Sequence, residues 1–385
     1  MKKALVVGGN SGLGLSVACN LLKKCEHVYI VGKDKPIQND IPERFREDFN
    51  LKTTCLQVNL VTEDFSFLSN MQDVDTLVIS AGFGRVAPFE NLTDVEITNL
   101  LKVNCLAAIR IIRNYYARIK SEEPFYTAVI GSIAGHVSSP LFSVYGAAKA
   151  GLCSFIENVN IELKASGVKN RILDVSPGAL KGTGFDGLKN NINLVDEIAG
   201  EIICRMFSRE CLYIPRYDEV YREVIEKYVR DPEKFGLDSY KYKLEGGRLN
   251  NKPQVVVGYL SGTFDLFHIG HLNLLRRAKE QCDYLIVGVH KSGSWKGKET
   301  FIPFEERSEI LKSIKYVDEV IESPTEDSDA WDMFNYDKLF VGSDYKGTER
   351  FAKYEKYLEG KAEIVYFDYT QGTSSTKLRA ALEKK

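Results

Sequence analysis

The sequence has no apolar stretch long enough to cross a membrane, and its charges nearly cancel. Its 385 residues include 51 lysine and arginine and 53 aspartate and glutamate side chains, which gives a formal net charge of −2. A membrane-spanning helix needs about 20 predominantly apolar residues in a row, so we predict no membrane partner. A nearly neutral chain has no general attraction for nucleic acid, so we expect no nucleic-acid partner either.

The eight cysteines form no pattern typical of a metal site or a secreted domain. No Cys-x-x-Cys pair occurs, and the five histidines do not stand at a zinc-binding spacing from the cysteines. We therefore predict no metal site, and we interpret the cysteines as small core residues of a cytoplasmic protein. Glycines within residues 8–14 interrupt the short apolar run at the N-terminus, so no signal peptide is expected.

The length of the chain favours two domains, because single cores rarely grow beyond about 250–300 residues. Its 44% hydrophobic and 27% charged content is ordinary for a globular protein. A polar segment near the middle contains Asp-Pro, Gly-Gly and Asn-Asn pairs, a composition typical of a linker. We predict one domain over residues 1–230, a linker over residues 231–252 and a second domain over residues 253–385.

A glycine-rich turn follows the first predicted strand. Residues 4–7 are apolar, residues 8–14 read Gly-Gly-Asn-Ser-Gly-Leu-Gly, and a helical pattern comes next. Such a turn lets the pyrophosphate of a dinucleotide approach the backbone, although a plain tight turn between strand and helix has the same composition.

Three polar residues further along carry a second signal. Ser132 follows an apolar run, and Tyr145 and Lys149 are four residues apart, so they share one face of a helix. An ammonium group near a phenol favours the phenolate, which predicts a lowered tyrosine pKa and proton transfer near neutral pH. The pair alone would also fit an ordinary surface contact.

Together with the glycine turn, these residues resemble the short-chain dehydrogenase/reductase family over about residues 1–216. The resemblance implies a doubly wound parallel sheet of the Rossmann type and hydride transfer with NAD(P)H. It implies a catalytic set of Asn104, Ser132, Tyr145 and Lys149. It also implies cofactor contacts at Gly8, Asn10, Ser11, Gly12, Leu13, Gly14, Lys33, Asn59, Ala81, Gly82, Pro177 and Gly178.

Two features of the first domain bear on its cofactor. Lys33 stands where a cation could pair with the 2′-phosphate of NADPH, so we expect NADPH, with NADH as the open alternative. Ser80 and Asn59 depart from the family, which usually has asparagine and aspartate at these positions.

The second half begins with a strand, a turn and a helix that suit a phosphate. An apolar run over residues 255–260 precedes Gly-Thr-Phe-Asp-Leu-Phe-His-Ile-Gly-His at residues 262–271, and a helical pattern follows. The free N–H groups at a helix N-terminus bind anions, and imidazoles can donate hydrogen bonds and carry positive charge. A capped turn with two incidental histidines is the alternative.

At these residues the chain resembles the cytidylyltransferase family, and in particular its glycerol-3-phosphate cytidylyltransferase group, over about residues 255–382. The resemblance implies a second Rossmann-like α/β domain that uses CTP with Mg²⁺. It implies catalytic roles for His268, His271, Lys296 and Arg307. It implies nucleotide contacts at Gly262, Thr263, Phe264, Asp265, His268, His271, Lys298, Asp344, Thr373, Ser374, Ser375 and Thr376.

Tyr369 and Gln371 stand where relatives usually have arginine and glutamate, which leaves the phosphorylated acceptor undetermined. We predict a bifunctional enzyme that reduces a ketose or its phosphate and then makes a CDP-polyol for a cell-surface polymer. Glycerol phosphate and ribitol or arabinitol 5-phosphate are the candidate acceptors, and a homo-oligomer is expected. Three alternatives stay open: cytidylylation before reduction, a first domain that binds NADP without turnover, and a second domain that transfers AMP.

Overall fold

A computed structural model describes residues 3–184, 190–247, 249, 255–292, 300–368 and 378. The chain divides into two compact units, Met1–Pro253 and Gln254–Lys385. Each contains a parallel sheet with helices on both faces, which confirms the predicted fold class. No helix in the described part of the chain is long and apolar enough to cross a membrane.

In the described part of the first unit the sheet has seven strands in the order β3-β2-β1-β4-β5-β6-β7, all parallel. The strands are β1 Lys3–Val7, β2 His27–Gly32, β3 Thr53–Gln57, β4 Thr76–Ile79, β5 Tyr126–Ile130, β6 Ile172–Val175 and β7 Leu212–Tyr213. The helices are α1 Gly12–Leu21, α2 Glu43–Lys52, α3 Asp94–Leu101, α4 Ala107–Ile119, α5 Ser143–Ala165, α6 Asp196–Phe207, α7 Arg222–Arg230 and α8 Pro232–Glu245.

The central strand β1 shows why this sheet is covered on both faces. Successive side chains of a strand point to opposite faces. Ala4 and Val6 pack into a core with residues of α1 and α6, whereas Leu5 and Val7 pack into a second core with residues of α4 and α5. All four side chains are fully buried, which is why the sequence of β1 is continuously apolar.

In the described part of the second unit, five parallel strands have the order β10-β9-β8-β11-β12. The strands are β8 Val257–Gly262, β9 Tyr284–Val289, β10 Glu319–Glu322, β11 Lys338–Gly342 and β12 Glu363–Phe367. The helices are α9 Ile269–Lys279, α10 Phe304–Lys312, α11 Asp327–Phe334 and α12 Glu349–Leu358. Leu260 packs with α9 and α10, and Tyr259 packs with α11 and α12.

The segment predicted as a linker differs from the expectation. Most of it forms α8, which starts at a proline after the N-cap residue Asp231. Lys243 on this helix is buried, and its Nζ donates to the Ser139 hydroxyl at 2.9 Å and to the carbonyl oxygen of Pro140 at 2.7 Å. The polar composition predicted a linker, but most of the segment is a helix. Its Lys243 is hydrogen-bonded to the turn before α5.

Candidate active sites

The first candidate site lies where the strand order of the seven-stranded sheet reverses, between β1 and β4. Ligands of open parallel sheets bind outside the carboxyl ends of the strands at such a point. Gly8 has a φ of +82°, and a Cβ built on it would lie 2.3 Å from the backbone nitrogen of Ala81. A Cβ on Gly14 would lie 2.1 Å from the carbonyl oxygen of Gly8. Glycines at both positions therefore let the turn pack closely, and they leave the N-terminus of α1 open to a pyrophosphate.

The other predicted cofactor residues of this loop lie at the same edge. Ser11 is the N-cap of α1, and the first turn of α1 has no acidic residue that would repel a phosphate. The side chain of Asn10 packs on Gly32 at the end of β2, since a Cβ there would lie 2.4 Å from its Oδ1. Lys33 follows and is exposed. Asn59 caps a short turn, and its Oδ1 accepts from the N–H of Val61 at 3.1 Å.

Ser132 and Tyr145 come together beyond the carboxyl end of β5. Ser132 is the N-cap of a short turn, and its hydroxyl accepts a hydrogen bond from the N–H of Ala134 at 3.2 Å. Tyr145 lies in the first turn of α5, where its side chain is hydrogen-bonded to Ser132. Both residues are 8% exposed, so a carbonyl group placed between them would be shielded from water.

Lys149 and Asn104 complete the predicted set. The Nζ of Lys149 lies 5.8 Å from the centre of the Tyr145 ring and donates to the carbonyl oxygen of Ile130 at 2.8 Å. Asn104 lies in a π-helical turn, Lys102–Leu106, and its Oδ1 has no partner among the described residues. A Cβ built on Gly82 would lie 2.7 Å from this oxygen and 3.5 Å from the Nζ of Lys149. Because Gly82 has no side chain, Oδ1 of Asn104 and Nζ of Lys149 can both lie close to it, as a proton relay between them requires.

The expected lowering of the tyrosine pKa is not found. Burial raises the pKa of Tyr145 to about 12, and the hydrogen bond from Ser132 offsets part of this effect. Burial also lowers the pKa of Lys149 to about 8, although Cys153 and Asp174 act in the opposite direction. The ammonium near the phenol favours the phenolate, but both groups lose water on burial, and this loss outweighs the attraction.

Sequence reasoning missed Tyr221 at this site. Pro177 and Gly178 follow β6 as predicted, and the carbonyl oxygen of Pro177 accepts from the N–H of Ile133 at 2.9 Å. A Cβ built on Gly178 would lie 1.6 Å from the hydroxyl oxygen of Tyr221. Tyr221 ends a π-helical turn, Tyr217–Tyr221, far along the chain from Gly178, so no local pattern indicated this contact.

The second candidate site lies at the reversal of strand order in the five-stranded sheet, between β8 and β11. Phe264 and Leu266 in the loop after β8 have φ values of 52° and 49°, a left-handed conformation that is uncommon for such residues. A Cβ on Gly262 would lie 2.9 Å from the Phe264 ring. The buried phenyl ring and the glycine under it hold the loop beside the N-terminus of α9.

His268 and His271 stack on each other at that terminus, with ring centroids 3.9 Å apart and an angle of 19° between the rings. His268 is the N-cap residue, and its Nδ1 accepts from the N–H of Gly270 at 3.0 Å. The ring proton of neutral His268 is therefore on Nε2, where it can donate to a ligand. The Nδ1 of His271 is buried without a partner among the described residues.

Burial lowers the pKa of both histidines, that of His271 to about 3. Without a ligand, His271 is therefore neutral at pH 7. A neutral imidazole still donates one hydrogen bond, and a bound phosphate would favour protonation.

Asp265 and Arg307 are hydrogen-bonded to backbone groups. The carboxylate of Asp265 accepts from the N–H groups of Phe301 and Ile302 at 3.0–3.1 Å. Arg307 is 1% exposed, and its guanidinium donates to the carbonyl oxygens of Ile302, Thr263, His290 and Lys291. These side chains connect the loop after β8 to both ends of the segment between β9 and α10, which is a positioning role. Their predicted contacts with the nucleotide stay predictions.

The remaining predicted residues are only partly described. Asp344 is exposed in a short turn directly after β11, on the far side of the strand reversal from His268. Lys296 and Lys298 lie outside the described residues, as do Thr373, Ser374, Ser375 and Thr376.

Comparison with known proteins agrees with both folds. The family model for short chain dehydrogenases matches residues 2–191, and the model for cytidylyltransferase-like proteins matches residues 259–381. A short-chain dehydrogenase from Sphingobium yanoikuyae, solved in complex with NADPH, has a TM-score of 0.50 and 23% identity. The match covers 62% of this chain and 96% of that one, and it shows the shared fold.

Two relatives match the separate halves. Carbonyl reductase family member 4 of Xenopus tropicalis is 26% identical over 178 residues, which are 46% of this chain and 75% of the relative. Glycerol-3-phosphate cytidylyltransferase of Staphylococcus aureus is 38% identical over 128 residues, which are 32% of this chain and 92% of the relative. Both resemblances are confirmed: the chain belongs to the cytidylyltransferase-like family through its second domain and carries a short-chain dehydrogenase domain before it, so both parts come from enzyme families.

Proposed function

We propose that this chain reduces a ketose or ketose phosphate with NADPH and transfers a cytidylyl group from CTP to the resulting polyol phosphate. The observation that carries the proposal is the presence of two assembled sites in one chain. One brings Ser132, Tyr145 and Lys149 together beside the glycine turn. The other places two stacked histidines at the N-terminus of α9.

In the proposed reduction, Ser132 donates a hydrogen bond to the substrate carbonyl and Tyr145 donates the proton that the new alkoxide takes up. NADPH supplies the hydride. The ammonium of Lys149 stabilises the phenolate left on Tyr145, and Asn104 lies on the path by which the proton is replaced. The choice of NADPH over NADH rests on Lys33, whose charge suits a 2′-phosphate.

In the proposed transfer, a phosphate oxygen of the acceptor attacks the α-phosphorus of CTP in line, and pyrophosphate leaves. Nothing in this step requires a covalent enzyme intermediate, so catalysis consists of positioning and of neutralising charge. The Nε2–H of His268, the imidazole of His271 and the first N–H groups of α9 surround the phosphate. Mg²⁺ enters with CTP as part of the substrate.

The acceptor is proposed to be glycerol phosphate or a pentitol 5-phosphate such as ribitol or arabinitol 5-phosphate. The 38% identity to glycerol-3-phosphate cytidylyltransferase supports an alcohol phosphate. The replacements at Tyr369 and Gln371 leave open which of these alcohol phosphates is the acceptor. We further propose that the CDP-polyol serves a cell-surface polymer and that the enzyme acts in the cytoplasm as a homo-oligomer.

The test is an assay that follows NADPH loss and pyrophosphate release separately against a panel of ketose and polyol phosphates. We expect a ketose phosphate to consume NADPH without CTP, and its polyol to release pyrophosphate from CTP without NADPH. NADPH loss that needs prior CTP turnover would reverse the order, and turnover of ATP in place of CTP would make the second domain an adenylyltransferase. Absence of both signals for every substrate contradicts the proposal.

Variants show which domain is responsible for NADPH loss and which for pyrophosphate release. Tyr145→Phe removes the proton donor and should lower NADPH oxidation by about 100-fold or more, with pyrophosphate release unchanged. Tyr116→Phe, on α4 of the same domain, is the matched control. A Tyr145→Phe variant that reduces ketoses normally would leave the first domain as a binding module or place its chemistry elsewhere.

A further inference from the structure

Three potential metal ligands meet in the first domain, although they are far apart in the sequence. They are His136, after the turn that follows Ser132, Cys153 on α5, and Asp174 on β6. One ring nitrogen, the thiol sulfur and a carboxylate oxygen all lie within 4.8 Å of one another. The Nε2 of His136 is 3.8 Å from Oδ2 of Asp174. None of the three residues takes part in the proposed reduction.

The three side chains point at one location, which is marked by the hydroxyl of Ser176. Its oxygen lies 3.0 Å from Nε2 of His136, 2.8 Å from Oδ1 of Asp174 and 3.7 Å from Sγ of Cys153. Convergence of a nitrogen, a sulfur and an oxygen on one point is what a coordination site requires. The serine oxygen can itself be the fourth ligand or give way to one.

Gly131 makes room for this convergence. A Cβ built on it would lie 2.5 Å from Oδ1 of Asp174, 2.8 Å from the Ser176 oxygen and 3.2 Å from Sγ of Cys153. Any larger residue would push the cluster apart. Because a Cβ at position 131 would contact Asp174, Ser176 and Cys153 at once, only glycine fits at the end of β5.

The burial and charge of the cluster also suit a cation. Asp174 is 5% exposed and Cys153 7% exposed, and a buried carboxylate is costly unless a positive charge compensates it. Among the described residues, Nε2 of His136 lies 3.8 Å from Asp174, a contact that is an ion pair when the imidazole is protonated, and the His136 side chain is 26% exposed. That exposure leaves a route by which an ion can enter.

We propose that His136, Cys153 and Asp174 bind a divalent transition-metal ion of the zinc type. Imidazole, thiolate and carboxylate are all zinc ligands, whereas Mg²⁺ and Ca²⁺ prefer oxygen alone. Bonds of about 2.0–2.3 Å place the ligand atoms of a tetrahedral site roughly 3.3–3.8 Å apart. The observed separations therefore need shifts of about an ångström or less, which side-chain rotations supply. Binding releases the thiol proton to solvent.

The site lies one helical turn from the catalytic lysine. Cys153 follows Lys149 by four residues on α5, and a Cβ on Gly135 would contact both the backbone of Lys149 at 2.9 Å and Sγ of Cys153 at 3.0 Å. An ion held there adds positive charge near the ammonium of Lys149.

The experiment is a Co²⁺ titration of the reduced, chelator-treated full-length chain, followed by absorbance. Cobalt bound to a thiolate gives a near-ultraviolet charge-transfer band, and tetrahedral cobalt gives visible ligand-field bands. We expect both bands to saturate at one equivalent and to vanish when Zn²⁺ is added. The wild-type protein alone can overturn the proposal, because the absence of a charge-transfer band excludes cysteine ligation.

Variants identify the side chains that bind the cobalt and give the charge-transfer band. Cys153→Ala should abolish it, and Asp174→Asn should weaken Co²⁺ binding by about 10-fold or more. Cys105→Ala is the matched control, because Cys105 is half-buried in the same domain and does not belong to the cluster. His271→Asn controls for binding at the histidine pair of the second domain. A band that survives Cys153→Ala, or disappears in Cys105→Ala, contradicts the assignment.

Circular dichroism without metal checks that each variant is folded. If Cys153→Ala does not fold, Asp174→Asn and His136→Gln take its place, and retention of wild-type affinity by both would overturn the proposal.

Discussion

The hydroxyl of Tyr221 lies directly against the backbone of Gly178, so close that a Cβ on the glycine would stand 1.6 Å from the tyrosine oxygen. Gly178→Ala must therefore displace the tyrosine or the strand end that supports the cofactor site. Because misplacing reacting groups by about 1 Å can cost roughly 100-fold in rate, we expect a loss of that order in reductase kcat/KM. Steady-state kinetics with NADPH measures it.

A second variant tests whether the loss of reductase activity in Gly178→Ala comes from the steric clash with Tyr221. Replacing Tyr221 by alanine in the Gly178→Ala background removes the clash and should recover part of the lost activity. A Gly178→Ala enzyme as active as wild type, or a double variant no better than the single one, would contradict this account.

Arg307 is expected to stabilise the second domain. Its buried guanidinium donates to four backbone carbonyls, and hydrogen bonds to charged groups contribute about 1.5–3 kcal/mol each. Arg307→Ala should lower the free energy of unfolding of that domain by about 3 kcal/mol or more. Both tryptophans, Trp295 and Trp331, lie in this domain, so tryptophan fluorescence during urea unfolding reports on it alone.

The control for Arg307 is Arg276→Ala, which removes an exposed guanidinium on α9 and should change stability by less than about 0.5 kcal/mol. If Arg307→Ala abolishes cytidylyl transfer at unchanged stability, the arginine acts on the nucleotide and the positioning role is wrong.

The stability of the second domain should depend on pH through His271. Its pKa is lowered from the ordinary 6.5 to about 3 by burial. Between these values the unfolded chain binds a proton that the folded chain does not, so stability falls as the pH is lowered from 6.5 towards 3, by up to about 1.4 kcal/mol per pH unit. Tryptophan-monitored unfolding at pH 7 and pH 5 measures the change. His271→Asn should have the flatter profile, and equal slopes in the two proteins would rule out His271 as the cause.

A buried ion pair joins the loop after β4 to helix α3. Arg85 and Glu96 are each 2% exposed, 2.9 Å apart, and Glu96 also completes the capping box of α3 with Thr93. Breaking such a pair leaves an uncompensated charge, so Glu96→Gln should cost about 3–5 kcal/mol. Calorimetry should show a lower transition for the first domain and an unchanged one for the second.

Exposed pairs behave differently, and Glu219→Gln is the matched control. Glu219 is 69% exposed beside Arg216, and surface pairs contribute about 1 kcal/mol or less. A Glu96→Gln variant no less stable than Glu219→Gln would show that the ion pair does not hold the loop.

The sequence alone determined the features that lie in short stretches. A glycine turn after an apolar run, Tyr145 four residues before Lys149, and two histidines at the start of a helix are local patterns, because strand and helix periodicity fixes where their side chains point. These patterns carried the resemblance to both families and the fold class, and the resemblance implied the grouping of Ser132 with Tyr145.

The tertiary structure decided what depends on burial and on contacts between distant segments. The segment predicted as a linker forms the helix α8, whose Lys243 is buried and hydrogen-bonded to another loop. Arg307 and Asp265 bind backbone groups that become neighbours after folding, and desolvation rather than charge sets the pKa of Tyr145 and His271. His136, Cys153 and Asp174 have no common spacing, so their meeting beside Gly131 could not be inferred before the strands and helices were packed.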